Sequence, residues 1–281
     1  MRNQTYITIR KASGDAEPFD VDKLKRSLQR AGAEPAVIDE IADEVVGSLY
    51  DGITTKKIYA RAFSLLRRKN RVNAFRYKLK QSLFELGPSG YPFEHFVGEI
   101  FRSKGYRVEV GQVLEGRCIT HEMDVIATNA TEQVLVECKY SKDQGKQVSI
   151  QVPLYVHSRI GDIVQKRKDL PEYQGFSFTG YVATNTRFTD DSVAYSRCVG
   201  LKLLGWDFPA GNGLKELMER NRVFPVTVLE QLTKKQKTRL LELDVVTCKQ
   251  LQDKPEVLAE FGLSSRKTRQ LTEELEQILG F

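Results

Sequence analysis

Asp124, Glu137 and Lys139 are the residues whose types and spacing could do chemistry. Asp124 sits among Met123, Val125 and Ile126, while Glu137 and Lys139 follow Val134, Leu135 and Val136. Residues 119–128 and 133–140 are rich in apolar and β-branched types around a polar break at 129–131, the pattern of two β-strands. Side chains alternate along a strand, so Glu137 and Lys139 share a face. If the strands pair as a hairpin, Asp124 can lie beside Glu137. Two carboxylates and an ammonium gathered on one sheet face are costly unless something satisfies them. A divalent cation removes the conflict: Mg²⁺ takes one or two carboxylates and completes its shell with water and a substrate phosphate. The lysine would then orient or deprotonate an attacking water and stabilise charge building on phosphorus. The plainer alternative is a hairpin carrying a surface ion pair between Glu137 and Lys139.

These strands need elements to position them. A boundary at residues 87–92, G-P-S-G-Y-P, precedes an amphipathic helix with Phe93, Phe96, Val97, Ile100 and Phe101 on its apolar face and Gly105 as its stop. A strand over 107–113 leads into the two motif strands. A helix follows over 148–166, starting near Pro153, which is tolerated only in a first turn. A strand over 176–184, a helix over 188–203 led by Thr189-Asp190-Asp191, and a last strand over 203–208 complete the order α-β-β-β-α-β-α-β.

The run D-x(12)-E-C-K resembles the PD-(D/E)xK nuclease motif in the form found in Mrr-like restriction endonucleases, with Met123 where a proline is usual. The stretch T-G-Y-V-A-T-N-T-R-F-T-D-D-S-V-A-Y-S resembles the same family, and the likeness covers residues 90–210. It implies a mixed sheet flanked by helices and DNA hydrolysis that depends on Mg²⁺. Asp124 and Glu137 would hold the metal, Glu94 of the early helix would complete the set, and Lys139 would serve catalysis. It also implies a role at DNA for Gln151, whose plainer reading is an amide on a solvated helix face. Tyr155, His157 and Arg159 could approach the scissile phosphate or a flanking base; in the plainer reading Tyr155 packs and Arg159 touches backbone. His121 reads as a structural histidine in a β-turn region rather than a ligand.

Residues 5–88 open with a short strand and a turn at 13–15. A helix capped by Asp20 follows, with Val21, Leu24 and Leu28 inside and Gly32 at its end. Pro35 starts a second helix, Thr54-Thr55 cap a third, and a fourth runs to Gly87-Pro88. From residue 56 to 80 there are ten Lys or Arg and no Asp or Glu, either a solvated face or a phosphate-binding surface. The basic strand, P-F-D, R-A-G-A, G-I-T-T-K-x-I-Y and Arg76-Tyr77 together resemble an ATP-cone domain, a small nucleotide-sensing module. The resemblance implies ATP or dATP as effector, with Lys11, Lys23 and Arg76 meeting phosphates. Lys11-Ala12-Ser13-Gly14 departs from the family's Lys-Arg-Asp-Gly, so one arginine is missing.

Residues 222–281 contain two similar halves, each an apolar helix, a short turn (243–245, then 261–263) and a Ser/Thr start to the next helix. They resemble a helix-hairpin-helix or SAM-like module, which offers helix N-termini and turn amides to phosphates without reading sequence. Lys234, Lys235, Arg266 and Lys267 are candidate backbone contacts, with Lys237, Arg239 and Arg269 beside them. A purely structural or protein-docking unit is the alternative.

The chain of 281 residues has length enough for two or three domains, and its net charge of +6 favours polyanion partners modestly. No apolar run approaches a membrane span, and M-R-N-Q-T-Y lacks the apolar core of a signal peptide. Cys118, Cys138, Cys198 and Cys248 are scattered, without disulfide or zinc spacing, which suits a reducing cytoplasm. The expectation is an α/β (α+β) protein in three parts: a mostly helical ATP-cone-like segment, a restriction-endonuclease-like mixed sheet, and a C-terminal helical hairpin module. It would be a nucleotide-regulated, metal-dependent DNA endonuclease of restriction-modification type, with a dimer favoured if both strands are cut. The rivals are a non-catalytic nucleotide-responsive DNA-binding regulator and a nuclease for branched DNA or RNA.

Overall fold

The computed structural model describes residues 7–11 and 15–280, with backbone alone for Arg71 and Val72. Ala12, Ser13 and Gly14 of the expected first turn lie outside the described residues. The chain divides into two compact units, Met1–Gln81 and Ser82–Phe281. The C-terminal helices, expected as a third part, fall within the second unit.

In the first unit, β1 (Thr8–Arg10) pairs antiparallel with β2 (Ala16–Pro18) and parallel with β3 (Ile53–Thr54). The last two are too short to leave a period in the sequence. Between them run α1 (Val21–Arg30) and α2 (Pro35–Gly47); α3 (Thr55–Lys69) follows, and then α4 (Arg71–Phe84), whose last residues, from Ser82, belong to the second unit. Asp20 caps α1 by accepting from the amides of Asp22 and Lys23, and Thr54 caps α3 by accepting from Lys57. Such caps satisfy amides that have no partner inside the helix. Leu24, Leu28, Ile38, Ile41, Val45, Ile58, Leu65 and Leu66 close the core against Ile9 and Ile53 of the sheet.

The second unit opens with α5 (Tyr91–Arg102), β4 (Arg107–Glu115), β5 (Thr120–Thr128), β6 (Glu132–Lys139) and β7 (Gln147–Val148). Next come α6 (Gln151–Lys168), β8 (Ser177–Thr184), β9 (Arg187–Phe188), α7 (Asp190–Val199) and β10 (Lys202–Leu204). The main sheet has the order β10-β8-β6-β5-β4. Strands β4, β5 and β6 form an antiparallel meander, and β8 and β10 extend it in parallel after helical crossovers, so the sheet is mixed. The five apolar residues expected on α5 are all buried. On the α6 side, Ile126, Leu135 and Val182 pack with Val156, Ile160 and Ile163. Pro153 sits in the first turn of α6, as expected. Helix α7 is shorter than the pattern suggested because Gly200, with φ of 78°, ends it, and β10 starts at once.

Helix α8 (Leu214–Asn221), which the sequence reading did not anticipate, leads to α9 (Lys234–Glu242), α10 (Cys248–Asp253) and α11 (Ser265–Leu279). The two-halves pattern is present in the backbone. Asp244 and Gly262 both take left-handed conformations, with φ of 57° and 54°, and Thr247 and Ser264 then cap the following helices. Two hydrogen bonds tie these helices to the rest of their unit: Thr227 Oγ1 donates to Ser82 O at 2.7 Å, and Gln250 Nε2 to Glu99 Oε1 at 2.9 Å.

Candidate active site

Strands β5 and β6 pair only as far as Val125 opposite Val136. Beyond that point β5 stays with β4 down to Thr120, while β6 continues with β8 to Lys139 opposite Thr184. The strands part, and continuing their register by one residue places Asp124 across from Glu137. Strand β5 is irregular here: Met123 and Ile126, three residues apart, both face the α6-side core, which a regular strand cannot do. Gly111, in register with Asp124 on β4, has φ of 63°. Asp124 Oδ2 accepts the amide of Cys138 at 2.6 Å, a donor that the ladder between β5 and β6 no longer uses.

Glu137 is buried, its side chain 5% exposed, and three donors surround its carboxylate. Lys139 Nζ lies 2.6 Å and Tyr155 Oη 2.9 Å from Oε1, and Arg159 Nη1 lies 3.4 Å from Oε2. Both cations lie over the Tyr155 ring, at 5.7 Å for Lys139 and 5.1 Å for Arg159. Tyr155 packs against the α6-side core, as its plainer reading had it, and one turn of α6 brings both it and Arg159 to the motif carboxylate as well. Burial alone would lower the Lys139 pKa. The Glu137 hydrogen bond, helped by Tyr155 and by the Glu137 charge, outweighs it and holds the ammonium above the ordinary lysine range.

The carboxylates feel one another. Burial, then the Glu137 charge, pushes Asp124 up to about 6 against the opposing pull of the Cys138 amide. Glu94, in the first turn of α5, is pushed up to about 7 by burial and then by Asp124, Glu122 and Glu137. Among the described residues, no three His, Cys, Asp or Glu side chains stand grouped to hold a metal ion. The structure therefore brings Asp124 and Glu137 to one gap and leaves Glu94 within their field.

Other residues set this geometry. Thr184 Oγ1 donates to Lys139 O at 2.6 Å, and the buried Asn185 side chain makes two bonds to the Ser141 backbone, at 2.9 and 2.8 Å. These bonds fix the end of β6. Thr184 and Asn185 stood in the T-N-T run without an assigned role. His121 lies within β5 rather than in a turn, and its Nε2 lies 2.8 Å from Asp162 Oδ2. Asp162 also accepts from the amides of Cys118 and Ile119, so it pins the β4–β5 turn to α6. Gln151 is exposed in the first turn of α6. His157 is exposed too, with Nδ1 3.2 Å from the Tyr195 hydroxyl, away from Glu137.

Residues 87–207 match the family model described as restriction endonuclease (Mrr catalytic), and residues 7–79 match the ATP cone domain. The chain joins an ATP-cone domain to an Mrr-like restriction endonuclease domain. Residues 224–279 match a third family, AF1548-like, C-terminal. An uncharacterized protein of Archaeoglobus fulgidus is 27% identical over 185 residues, 66% of this chain and all of the relative. The crystal structure of a protein of unknown function, AF1548, superposes with a TM-score of 0.54 at 27% identity, over 68% of this chain and 99% of that one.

In the ATP-cone domain, Lys11 and Lys23 converge on Glu17, at 2.7 and 3.4 Å. The Lys11 hydrogen bond, joined by the charge of both lysines, holds Glu17 below the ordinary carboxylate range. Arg76 lies elsewhere, beside Gly32 just past the opposite end of α1, about 15 Å away along the helix. Two of the three residues expected at phosphates are thus neighbours. In the C-terminal helices, Lys234 and Lys235 are exposed in the first turn of α9 and Arg266 in that of α11, with Lys267 half-buried next to it. Lys237, Arg239 and Arg269 are engaged within the fold, with Thr227 O, Glu260 and Glu273.

Proposed function

We propose that the chain is a metal-dependent endonuclease that hydrolyses phosphodiester bonds in DNA, controlled by ATP or dATP at the ATP-cone domain. The observation that carries this reading is the meeting of Asp124 and Glu137, with Lys139, where β5 and β6 part. The donors are hard oxygens, the set Mg²⁺ prefers. Burial and mutual charge already make the Asp124 and Glu94 anions costly, a cost that a divalent cation offsets. Asp124 and Glu137 would hold Mg²⁺, with Glu94 as third candidate. When bound there, the ion supplies Lewis-acid polarisation of the scissile phosphate. Lys139, kept as an ammonium by Glu137, donates to the developing charge on phosphorus. Tyr155 and Arg159 fix the Glu137 carboxylate. Gln151, Lys234, Lys235, Arg266 and Lys267 would contact the DNA backbone, and this supports binding without sequence reading. Nucleotide at Lys11, Lys23 and Arg76 would favour one oligomeric state, a dimer if both strands are cut. Four free cysteines suit a reducing cytoplasm, and among the described residues no helix is long and apolar enough to cross a membrane.

A supercoiled-plasmid assay with and without Mg²⁺ tests the reading. Cleavage that needs the metal and falls about 10²-fold or more in both Asp124→Ala and Lys139→Ala supports it. One observation favours a second reading, a non-catalytic nucleotide-responsive DNA-binding regulator: Glu137 already has three donors around it. Tight DNA binding without cutting in Mg²⁺ or Mn²⁺ would establish that alternative. Preferential cutting of a four-way junction or of RNA would redirect the substrate to branched DNA or RNA.

A further inference from the structure

A cavity of about 690 Å³ opens at the β10 edge of the nuclease sheet, between α5, α7 and α8. None of Asp124, Glu137 or Lys139 lines it. Its size falls in the ordinary range for small-molecule sites. Phe101, Tyr181 and Phe208 give it aromatic walls, with the Phe101 and Tyr181 rings edge to face at 5.7 Å. Two of its lining residues carry a buried polar atom, Ser196 Oγ and Asn221 Nδ2, and neither atom has a hydrogen-bond partner among the described residues. Ser196 is 1% exposed. Buried donors left unpaired are rare in native folds and call for an explanation. The cations Lys104, Arg197, Lys202 and Arg220 also line the cavity, and no Asp or Glu does so among its described lining residues. Arg220 is held in place by Asn212 Oδ1 at 3.1 Å and Gly211 O at 3.3 Å. The Lys104 ammonium is drawn over the Phe101 ring at 5.4 Å, within the field of the Arg220 charge. Two neighbouring cations with no carboxylate between them are set to receive an anion.

We infer that this cavity binds an organic anion of mononucleotide size. A flat apolar body fills the aromatic walls, its acceptor atoms meet Asn221 Nδ2 and the Ser196 hydroxyl, and its negative group lies at Lys104 and Arg220. The site is separate from both the nuclease cleft and the ATP-cone domain, so it stands whether or not the endonuclease reading does.

Trp206 provides the readout. It is the chain's one tryptophan, it is buried, and it sits between Leu204 and Phe208, which line the cavity. The full chain is titrated with AMP in EDTA while Trp206 fluorescence is followed. The expected result is a saturable change. The Lys104→Glu/Lys202→Glu pair should weaken it at least tenfold without moving the melting temperature, because both residues are exposed. Ser196→Ala, which removes an orphan hydroxyl and so keeps the fold, should weaken it about threefold to tenfold. Asp124→Ala should leave the titration unchanged. The inference is overturned if millimolar AMP gives no change in folded protein, or if inorganic phosphate competes as well as AMP, which reduces the site to a charged rim. Loss of the signal in Asp124→Ala would overturn it as well, by moving the binding to the nuclease cleft.

Discussion

Glu137 is held by three side chains and Asp124 by one backbone amide, and this asymmetry divides their parts. Glu137 is fixed from α6, whereas Asp124 depends on the local shape of β5. Removing the Tyr155 hydroxyl leaves Glu137 Oε1 with Lys139 alone as side-chain donor and so loosens the carboxylate. Tyr155→Phe should therefore lower kcat about tenfold with DNA affinity unchanged, as single-turnover cleavage and a binding titration would show. Asp162 offers a pH test. Its hydrogen bond with His121, then its bonds from Cys118 and Ile119, hold its carboxyl down at about 2, below the ordinary 3.8. A depressed folded pKa contributes stability that is fully present above the unfolded value and is lost as pH falls through the folded one. The stability gap between the native chain and Asp162→Asn should thus be constant at neutral pH and shrink between about pH 4 and pH 2 in acid-unfolding curves. At this scale the sequence disclosed the acid-acid-lysine set, because its residue types clash with their apolar neighbours. It named Tyr155 and Arg159 only as groups that could approach phosphate or base, and it did not disclose their bonds to Glu137 or the His121–Asp162 bond, since those contacts exist only once α6 has crossed the sheet.

Strand β6 supplies two of the three motif residues, and its end is clamped from outside by β8. Asn185 makes both clamp bonds with one amide, so no other residue type can give the donor and acceptor at the same reach except with a shifted backbone. Asn185→Ala should cost about 1–3 kcal/mol, the loss of two hydrogen bonds to the half-buried Ser141 backbone. Urea unfolding would measure it, and cleavage should fall in parallel because Lys139 loses its position. Gly111→Val would place a β-branched side chain at φ of 63°, where only glycine is unstrained. A loss of about 1–2 kcal/mol is expected from the same measurement. Caps and stop residues made several elements legible: Asp20, Thr54, Thr189 and Gly105 all stand where the pattern put them, whereas the stop at Gly200 was passed over. Strands of two residues carry no period: β3 exists because the longer β1 pairs with it, and β7 and β9 because they pair with each other.

At the scale of the molecule, two compact units imply two melting events rather than one. A ligand stabilises only what it binds, by about 2.7 kcal/mol at a hundredfold excess over Kd. In calorimetry of the full chain, ATP or dATP should raise one transition and leave the other in place, and Lys23→Ala should blunt that rise. The division into a nucleotide-type domain and a nuclease-type domain was readable from linear motifs. That the last helices share a compact unit with the nuclease sheet was not, because the bond that joins them to α5, Gln250 to Glu99, spans 151 residues. The parting of β5 and β6 has a kinetic side as well. The antiparallel meander is local and can assemble early, but beyond Val136 strand β6 has only β8 as partner, with Lys139 and Thr184 45 residues apart. Contacts between distant segments close late because their loop entropy must be met first. Glu137 and Lys139 lie on that late-closing stretch, so during refolding circular dichroism should recover before catalytic turnover does.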